Sequence, residues 1–491
     1  MKRKGIALLL AAVMAMGIVG CGKDTGANTS AESKQESTEQ TVAGETTEEA
    51  QEPMYDFGGR VVRIGSYYDM TPDPDGNLFE QAYAKRIKYV EETYNCKIEF
   101  VNVGGDYTGA YVNSVLAGDP VCDVGYMLSY KLLPSLIEGG IAYPISDLGV
   151  IDFSAPQYDK AATEACTYKG KVYALAQTEA GCGYGIFYNK TLFERYNLPD
   201  LYELYENGEW TWDKMKEIAL AGNQDLDGDG EYGEDDIHGF NWRENLIWSY
   251  MASNGADAVK KTDAGVELAL DTPEAMEAME AYVDFLQNVP TLTGWLGDWQ
   301  SEIWNFRDGK SCMCYEAWWI SYGYLTMADG TGMQDDWGFV PFPKGPSGTE
   351  DVSYNKEASA LIMLNGIEKP EEVAQIIDLI FQSFDGEEDW ADAIEATFEA
   401  QANDAKAVQI ASDLMGKVSI SPLMGFNSLN TLVNDMLKSI ENGEQTPQTA
   451  LEANKSALDA AISDIQTHDY EADMKEAAEK YEESLQESDG Q

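Results

Sequence analysis

The chain has 491 residues, 44% hydrophobic and 24% charged, with 33 basic against 86 acidic side chains and a formal net charge of −53. That surplus repels polyanions, which excludes nucleic acid as a partner and a polybasic hold on anionic lipid. Once an N-terminal export segment is set aside, the remaining length suffices for two domain-sized cores with a cleft between them.

Lys2, Arg3 and Lys4 precede an apolar run from Ile6 to Val19, and small residues then lead to Cys21, the three parts of a secretory signal. The run is shorter than the roughly 20 apolar residues of a spanning helix, so it reads as a signal and not an anchor. Ile18, Val19, Gly20 and Cys21 resemble the bacterial lipobox, in which a diacylglycerol is attached to the cysteine thiol and cleavage leaves that cysteine as the new N-terminus. Residues 1–20 are thus expected to be a signal peptide, with Cys21 the lipid attachment and 21–54 a tether. From Gly22 to Pro53 there is no aromatic residue, too little apolar surface to offset the entropy of ordering. No later segment has 18 uninterrupted apolar residues, so the lipid is the one expected attachment to the cell membrane, on its extracytoplasmic face.

The body opens with Val61, Val62, Arg63 and Ile64, a β-prone run ending at Gly65. Tyr83, Ile87, Val90 and Tyr94 recur at helical spacing, and Lys97 to Val101 alternate as a strand. Strands separated by helices predict a parallel sheet flanked by helices, an α/β fold whose ligands sit beyond the strand C-termini. That directs attention to Ser66, Tyr67, Tyr68 and Asp69. Near the other end Leu451, Leu458, Ile462 and Ile465 predict a helix. Besides Cys21 there are six cysteines, Cys96, Cys122, Cys166, Cys182, Cys312 and Cys314. An even number in an exported chain permits disulfides, but a core this large does not need them, and buried thiols are expected.

Residues 225–236, DLDGDGEYGEDD, match a twelve-residue calcium loop. Asp225, Asp227 and Asp229 fall at positions 1, 3 and 5, Gly230 at the sharp turn, Glu231 at 7 through its carbonyl, and Asp236 at 12. A hard cation takes six to eight oxygens, and this spacing folds carboxylates around one centre. Asp236 stands where a bidentate Glu is usual. A structural Ca2+ clip is expected, not a sensor, since no helix pair flanks the loop.

Five stretches, in order, resemble extracellular solute-binding proteins of ABC importers, the family that includes maltose- and oligosaccharide-binding proteins. They are VLAGDPVCDVGYM (Val115 to Met127), GYGIFYNKTLFERYNL (Gly183 to Leu198), WTWDKMKEIA (Trp210 to Ala219), FRDGKSCMCYEAWW (Phe306 to Trp319) and WGFVPFPKGPSG (Trp337 to Gly348). In the third, Thr211 is placed to cap a helix N-terminus. The resemblance implies a two-lobed periplasmic-binding-protein fold of class II. Each lobe is a mainly parallel sheet flanked by helices, and three crossovers form the hinge. Residues 55–177 and 355–417 would form lobe 1, and 178–354 and 418–491 lobe 2.

The resemblance further implies a monomer that closes on a carbohydrate and presents it to an ABC permease. A sugar needs aromatic planes for its C–H faces and polar groups for its hydroxyls. Trp319 falls where the family's stacking tryptophan is expected, with Trp318 beside it pointing elsewhere; both are carried as candidates. Tyr68, Tyr130, Tyr184 and Phe426 are candidate rings, and Asn254 and Glu316 candidate polar partners. A binder of another organic solute, or a sensory binding protein, remains open. A surface glycoside hydrolase is the least favoured: no nucleophile elbow or metal-binding His pair is present, though accidental carboxylate pairs are certain among 86 acidic residues.

Overall fold

The computed structural model describes residues 55–467 except 77, 138, 179–180, 234, 263–264, 294–300, 328–329, 357 and 383–389. The expected signal, Cys21 and the tether lie outside the described residues.

The first sheet has the order β2-β1-β3-β15-β6, from β1 (Arg60–Ser66), β2 (Cys96–Asn102), β3 (Val124–Leu128), β6 (Ala174–Leu175) and β15 (Ser359–Met363). A small hairpin of β4 (Thr167–Tyr168) and β5 (Lys171–Val172) stands beside it. β1 pairs in parallel with β2 and β3, and β15 alone runs against its neighbours. The predicted opening is observed: Val62 and Ile64 are buried from β1, and α1 (Leu78–Tyr94) turns Ile87, Val90 and Tyr94 onto the same core. α10 (Pro370–Phe381) covers that face as well, while α2 (Tyr107–Leu116) and α3 (Lys160–Ala165) belong to the other side.

The second sheet has the order β11-β8-β12-β7-β14-β16, with β13 also on β7. Its members are β7 (Tyr184–Asn189), β8 (Asn241–Trp242), β11 (Leu292–Thr293), β12 (Met313–Ala317), β13 (Trp337–Pro341), β14 (Ser353–Asn355) and β16 (Val418–Ile420). Here β7 is the one reversed strand, and all six of its residues are buried. Around it lie α4 (Lys190–Arg195), α5 (Leu201–Glu206), α6 (Trp212–Gly222), α7 (Leu246–Ser253), α8 (Pro273–Asn288) and α9 (Ser301–Arg307). The Thr211 side chain caps α6, accepting from Lys214 N at 3.3 Å. A separate hairpin, β9 (Val259–Thr262) with β10 (Gly265–Leu268), packs on the closing helix α14 (Pro447–Thr467), which in turn packs on α13 (Asn427–Glu441). Leu451, Leu458, Ile462 and Ile465 are all buried in α14. The fold is therefore two-lobed, with one mainly parallel sheet to each lobe.

The three crossovers lie side by side. Tyr184 pairs with Tyr354, Ser353 pairs with Val418, and Ser353 Oγ donates to Tyr184 O at 3.2 Å. They approach so closely that a Cβ on Gly183 would stand 1.9 Å from the Tyr354 carbonyl oxygen. Only glycine fits there.

One expected boundary moves. Residues 405–417 were assigned to lobe 1, but α12 (Ala405–Met415) lies along β13 of the second sheet. Its buried residues Ala407, Ile410, Ala411 and Leu414 form one apolar stripe, which finds its cover there. The N-cap Asp404 is held by Lys190 and by Tyr202 Oη at 3.2 Å, both from lobe 2. α11 (Trp390–Gln401) touches both α1 and α12. The six cysteines after Cys21 are free thiols, five of them buried. Among the described residues no helix is long and apolar enough to cross a membrane.

Candidate functional site

The C-terminal ends of the strands deliver the side chains that matter, as expected for sheets of this kind. In the first lobe Tyr67 and Tyr68 follow β1, and Ser129 and Tyr130 follow β3. The rings of Tyr67 and Tyr68 lie 4.8 Å apart, Tyr67 stacks on Tyr107 at 5.4 Å, and both meet Tyr126, at 5.8 and 5.5 Å. Tyr111 pins this end of the sheet, donating from its hydroxyl within 3.0 Å of both Gly65 O and Tyr126 O. Tyr67 and Tyr68 remain more than 40% exposed, an aromatic surface open to solvent.

Tyr130 and Phe426 come together on one cavity of about 290 Å³ between the lobes. Lobe 1 contributes Ser129, Tyr130 and the segment from Ala165 to Gly170. Lobe 2 contributes Lys261, Thr262 and the segment from Ile420 to Phe426. Tyr168 faces Phe426 with ring centroids 6.2 Å apart. Lys261 crosses from the β9–β10 hairpin to lobe 1, reaching Glu164 O in the last turn of α3 and, at 3.4 Å, Thr167 O at the start of β4. Burial lowers the pKa of Lys261, and the nearby charge of Glu164 opposes it.

Tyr184 and Glu316 meet in a second group, built around a residue that sequence reasoning missed. Arg243 follows β8 and its guanidinium donates to three carboxylates: Glu302 at 2.9 Å, Glu244 at 2.8 Å and Glu316 at 3.2 Å. Glu244 also lies 3.7 Å from Lys356 Nζ, just beyond the crossover strand β14. Tyr184 stacks on Tyr315 at 4.9 Å, and its hydroxyl accepts from Asn245 Nδ2 at 3.1 Å. Glu316 is 1% exposed, and burial is the main reason its pKa rises to about 7, outweighing the N–H of Ala317 and the charge of Arg243. β8 is only two residues long, so no periodicity announced it. Arg243 and Glu244 directly follow this strand end.

Two expected ligands are corrected. Trp318 is fully buried among Phe187, Trp337, Phe339 and Phe398, and its indole N–H donates to Gln401 Oε1 at 2.6 Å. Asn254 is likewise fully buried; its amide donates to Glu274 O and Glu277 Oε2 at 2.9 Å and accepts from Ser347 N at 2.9 Å. It ties α7 to α8 and to the Pro-Lys-Gly-Pro-Ser turn, leaving nothing for a solute. Trp319 is only partly buried, edge-on to Tyr324 at 5.3 Å, and Tyr324 in turn meets Trp304 at 4.9 Å.

In the acidic loop the structure brings together three of the expected ligands and leaves Asp236 apart. Carboxylate oxygens of Asp225, Asp227 and Asp229 lie within 4.8 Å of one another. Asp225 accepts from Gly228 N and Gly230 N, at 2.6 and 2.9 Å, and both glycines have positive φ, 78° and 89°. Asp236 stands outside that trio: it is buried, and accepts from Leu226 N and Gly233 N, each at 2.7 Å. Gln224 and Ile237 pair across the base, so the loop joins a helix to extended chain.

No curated protein sequence matches the chain. Solved structures with the same fold include the GacH receptor of Streptomyces glaucescens, described unliganded and with acarbose. It has 16% identity and a TM-score of 0.57 over 83% of this chain and 99% of that one. A cyclic alpha-maltosyl-1,6-maltose binding protein from Arthrobacter globiformis has 17% identity and a TM-score of 0.59 over 84% and 100%. The maltose-maltodextrin binding protein of Alicyclobacillus acidocaldarius has 16% identity and a TM-score of 0.52 over 83% and 100%. The profile of the bacterial extracellular solute-binding proteins matches residues 74–383, more than half of the sequence, and the chain belongs to that family.

Proposed function

We propose that this protein captures a carbohydrate between its lobes and delivers it to an ABC permease, held at the extracytoplasmic face of the membrane by a lipid on Cys21. The observation that carries the reading is the interlobe cavity with Tyr130 from one lobe and Phe426 from the other. A solute touching both rings favours the closed form by its extra contacts there, and only that difference can drive closure. The sugar ligands named for the GacH receptor and the Arthrobacter protein support the same class. A tether of about 32 residues lets the body reorient beside a permease while keeping its local concentration high.

The test is a thermal-shift and calorimetric screen of the full chain against mono- and oligosaccharides, amino acids and peptides. A sugar that raises the Tm and binds stoichiometrically supports the reading. Binding of amino acids or peptides alone overturns the substrate class, and turnover of a glycan overturns the assignment as a binder. Lipidation is tested by radiolabelled fatty-acid incorporation, which Cys21→Ala should abolish.

We also infer that Asp225, Asp227 and Asp229 hold a structural Ca2+, with the carbonyl of Glu231 completing one side and Asp236 closing the loop. Three carboxylates this close repel one another without a cation, and the millimolar calcium outside cells suffices for a weak site.

A further inference from the structure

The interlobe cavity differs in charge from the rest of the molecule. Acidic side chains outnumber basic ones 86 to 33 in the chain, yet the described residues lining the cavity include Lys169 and Lys261 and no aspartate or glutamate. The β4 segment holds its parts together. Lys261 Nζ reaches Thr167 O at 3.4 Å, the ring of Tyr168 faces Phe426 at 6.2 Å, and Lys169 Nζ stands 5.6 Å from the centre of that same tyrosine ring. An ammonium has three donors, and Lys261 spends two of them on backbone carbonyls, of Glu164 and Thr167. Among the described residues no carboxylate oxygen lies within 4.0 Å of it. The Glu164 side chain, whose charge acts on it from further away, is exposed and borders a neighbouring cavity instead. Thr262, next in the chain, also lines the interlobe cavity, and its hydroxyl is buried with no hydrogen-bond partner.

A half-buried ammonium bonded to neutral carbonyls keeps its whole charge, and an anionic oxygen is the acceptor that completes it best. A neutral sugar would meet the rings and the Thr262 hydroxyl but leave that charge uncompensated. The net charge of −53 repels anions at long range, but physiological salt screens that repulsion beyond about 8 Å, and a direct contact with Lys261 is far shorter. One ammonium with one donor to give matches the single charge of a carboxylate better than the double charge of a phosphate. We propose that the solute of this cavity is an acidic sugar, a hexuronate whose carboxylate takes the remaining donor of Lys261 and whose ring is bordered by Tyr130 and Phe426. The exposed Lys169 adds a second positive charge to the same cavity. The inference rests on the reading of the chain as a carbohydrate binder and narrows it to sugars that carry a carboxylate.

Calorimetry of the full chain at about pH 7, where a sugar carboxylate is ionised, should compare glucuronate with glucose, glucuronamide and glucose 6-phosphate. Glucuronate is expected to bind about tenfold more tightly than glucose or than glucuronamide, which keeps the shape of the acid without its charge. Lys261→Gln retains amide donors for the two carbonyls and should reduce that preference to about twofold or less. Should this variant fail to fold, the glucuronamide comparison removes the charge from the ligand's side and decides the matter alone. Equal binding of glucuronate, glucose and glucuronamide, tighter binding of glucose 6-phosphate, or a preference that survives in Lys261→Gln overturns the uronate site and leaves the capture function standing. If no sugar of the wider screen binds either, the capture function fails with it.

Discussion

Arg243 donates to Glu316 across 3.2 Å while the same guanidinium also serves Glu302 and Glu244. Three carboxylates share one cation, and the most buried of them, Glu316, has its pKa raised from 4.5 to about 7. Between those values the folded protein holds a proton that the unfolded chain has released. Stability therefore falls as the pH rises through this window, by on the order of 3 kcal/mol if Glu316 acts alone. Glu316→Gln should remove that slope. Asp257, raised by burial to about 6, titrates in the same direction but is common to both proteins, so the difference between their Tm profiles reports Glu316 together with Glu302, which burial also raises and which shares Arg243. Superimposable profiles from about pH 5 to 8 would refute it.

Consecutive tryptophans should respond differently. Trp318→Ala empties a packed site and strands Gln401, and is expected to cost about 3–5 kcal/mol in chemical denaturation. Trp319→Ala, on a half-buried ring edge-on to Tyr324, should change stability by about 1 kcal/mol or less. Equal losses of stability would show that both rings serve the core.

The hinge is tested at Gly183. A methyl there meets the Tyr354 carbonyl, backbone against backbone, so the crossover strands must separate. Gly183→Ala should destabilise by about 1–3 kcal/mol and alter the solute affinity as well, because the displaced strands are those about which the lobes close. Wild-type stability in this variant would show that the crossovers yield freely.

Removing calcium should lower the Tm. At about 100 times its dissociation constant the ion adds about 2.7 kcal/mol, which EGTA would withdraw. Asp225→Asn with Asp227→Asn should melt at the EGTA value whether or not calcium is present. A wild-type Tm indifferent to EGTA would argue that the acidic loop is only a turn, held by its own aspartate-to-backbone bonds.

Much of the fold was legible where neighbours in sequence are neighbours in space. Val62 and Ile64 alternate, Tyr83 to Tyr94 repeat at helical spacing, Thr211 caps the helix that follows it, and the aspartates of the loop converge because the loop is short. Tyr130 and Phe426 were also named from the sequence, but nothing in it showed that they share a cavity. Arg243 and Glu244 escaped notice because a two-residue strand has no period to read. Asn254 is not legible as a core residue, because a polar side chain has the same sequence signature whether it faces solvent or fills the gap between two helices.

The sequence by itself determined the alternation of strands and helices, the family to which the chain belongs and the spacing of the acidic loop, since each is written in residues close along the chain. Only the tertiary structure decided which side chains bury Trp318, that α12 covers β13 and not the first lobe, and that one arginine gathers three glutamates. Those outcomes depend on contacts between distant segments, and burial, which sets both packing and the pKa of Glu316, exists only once those segments meet.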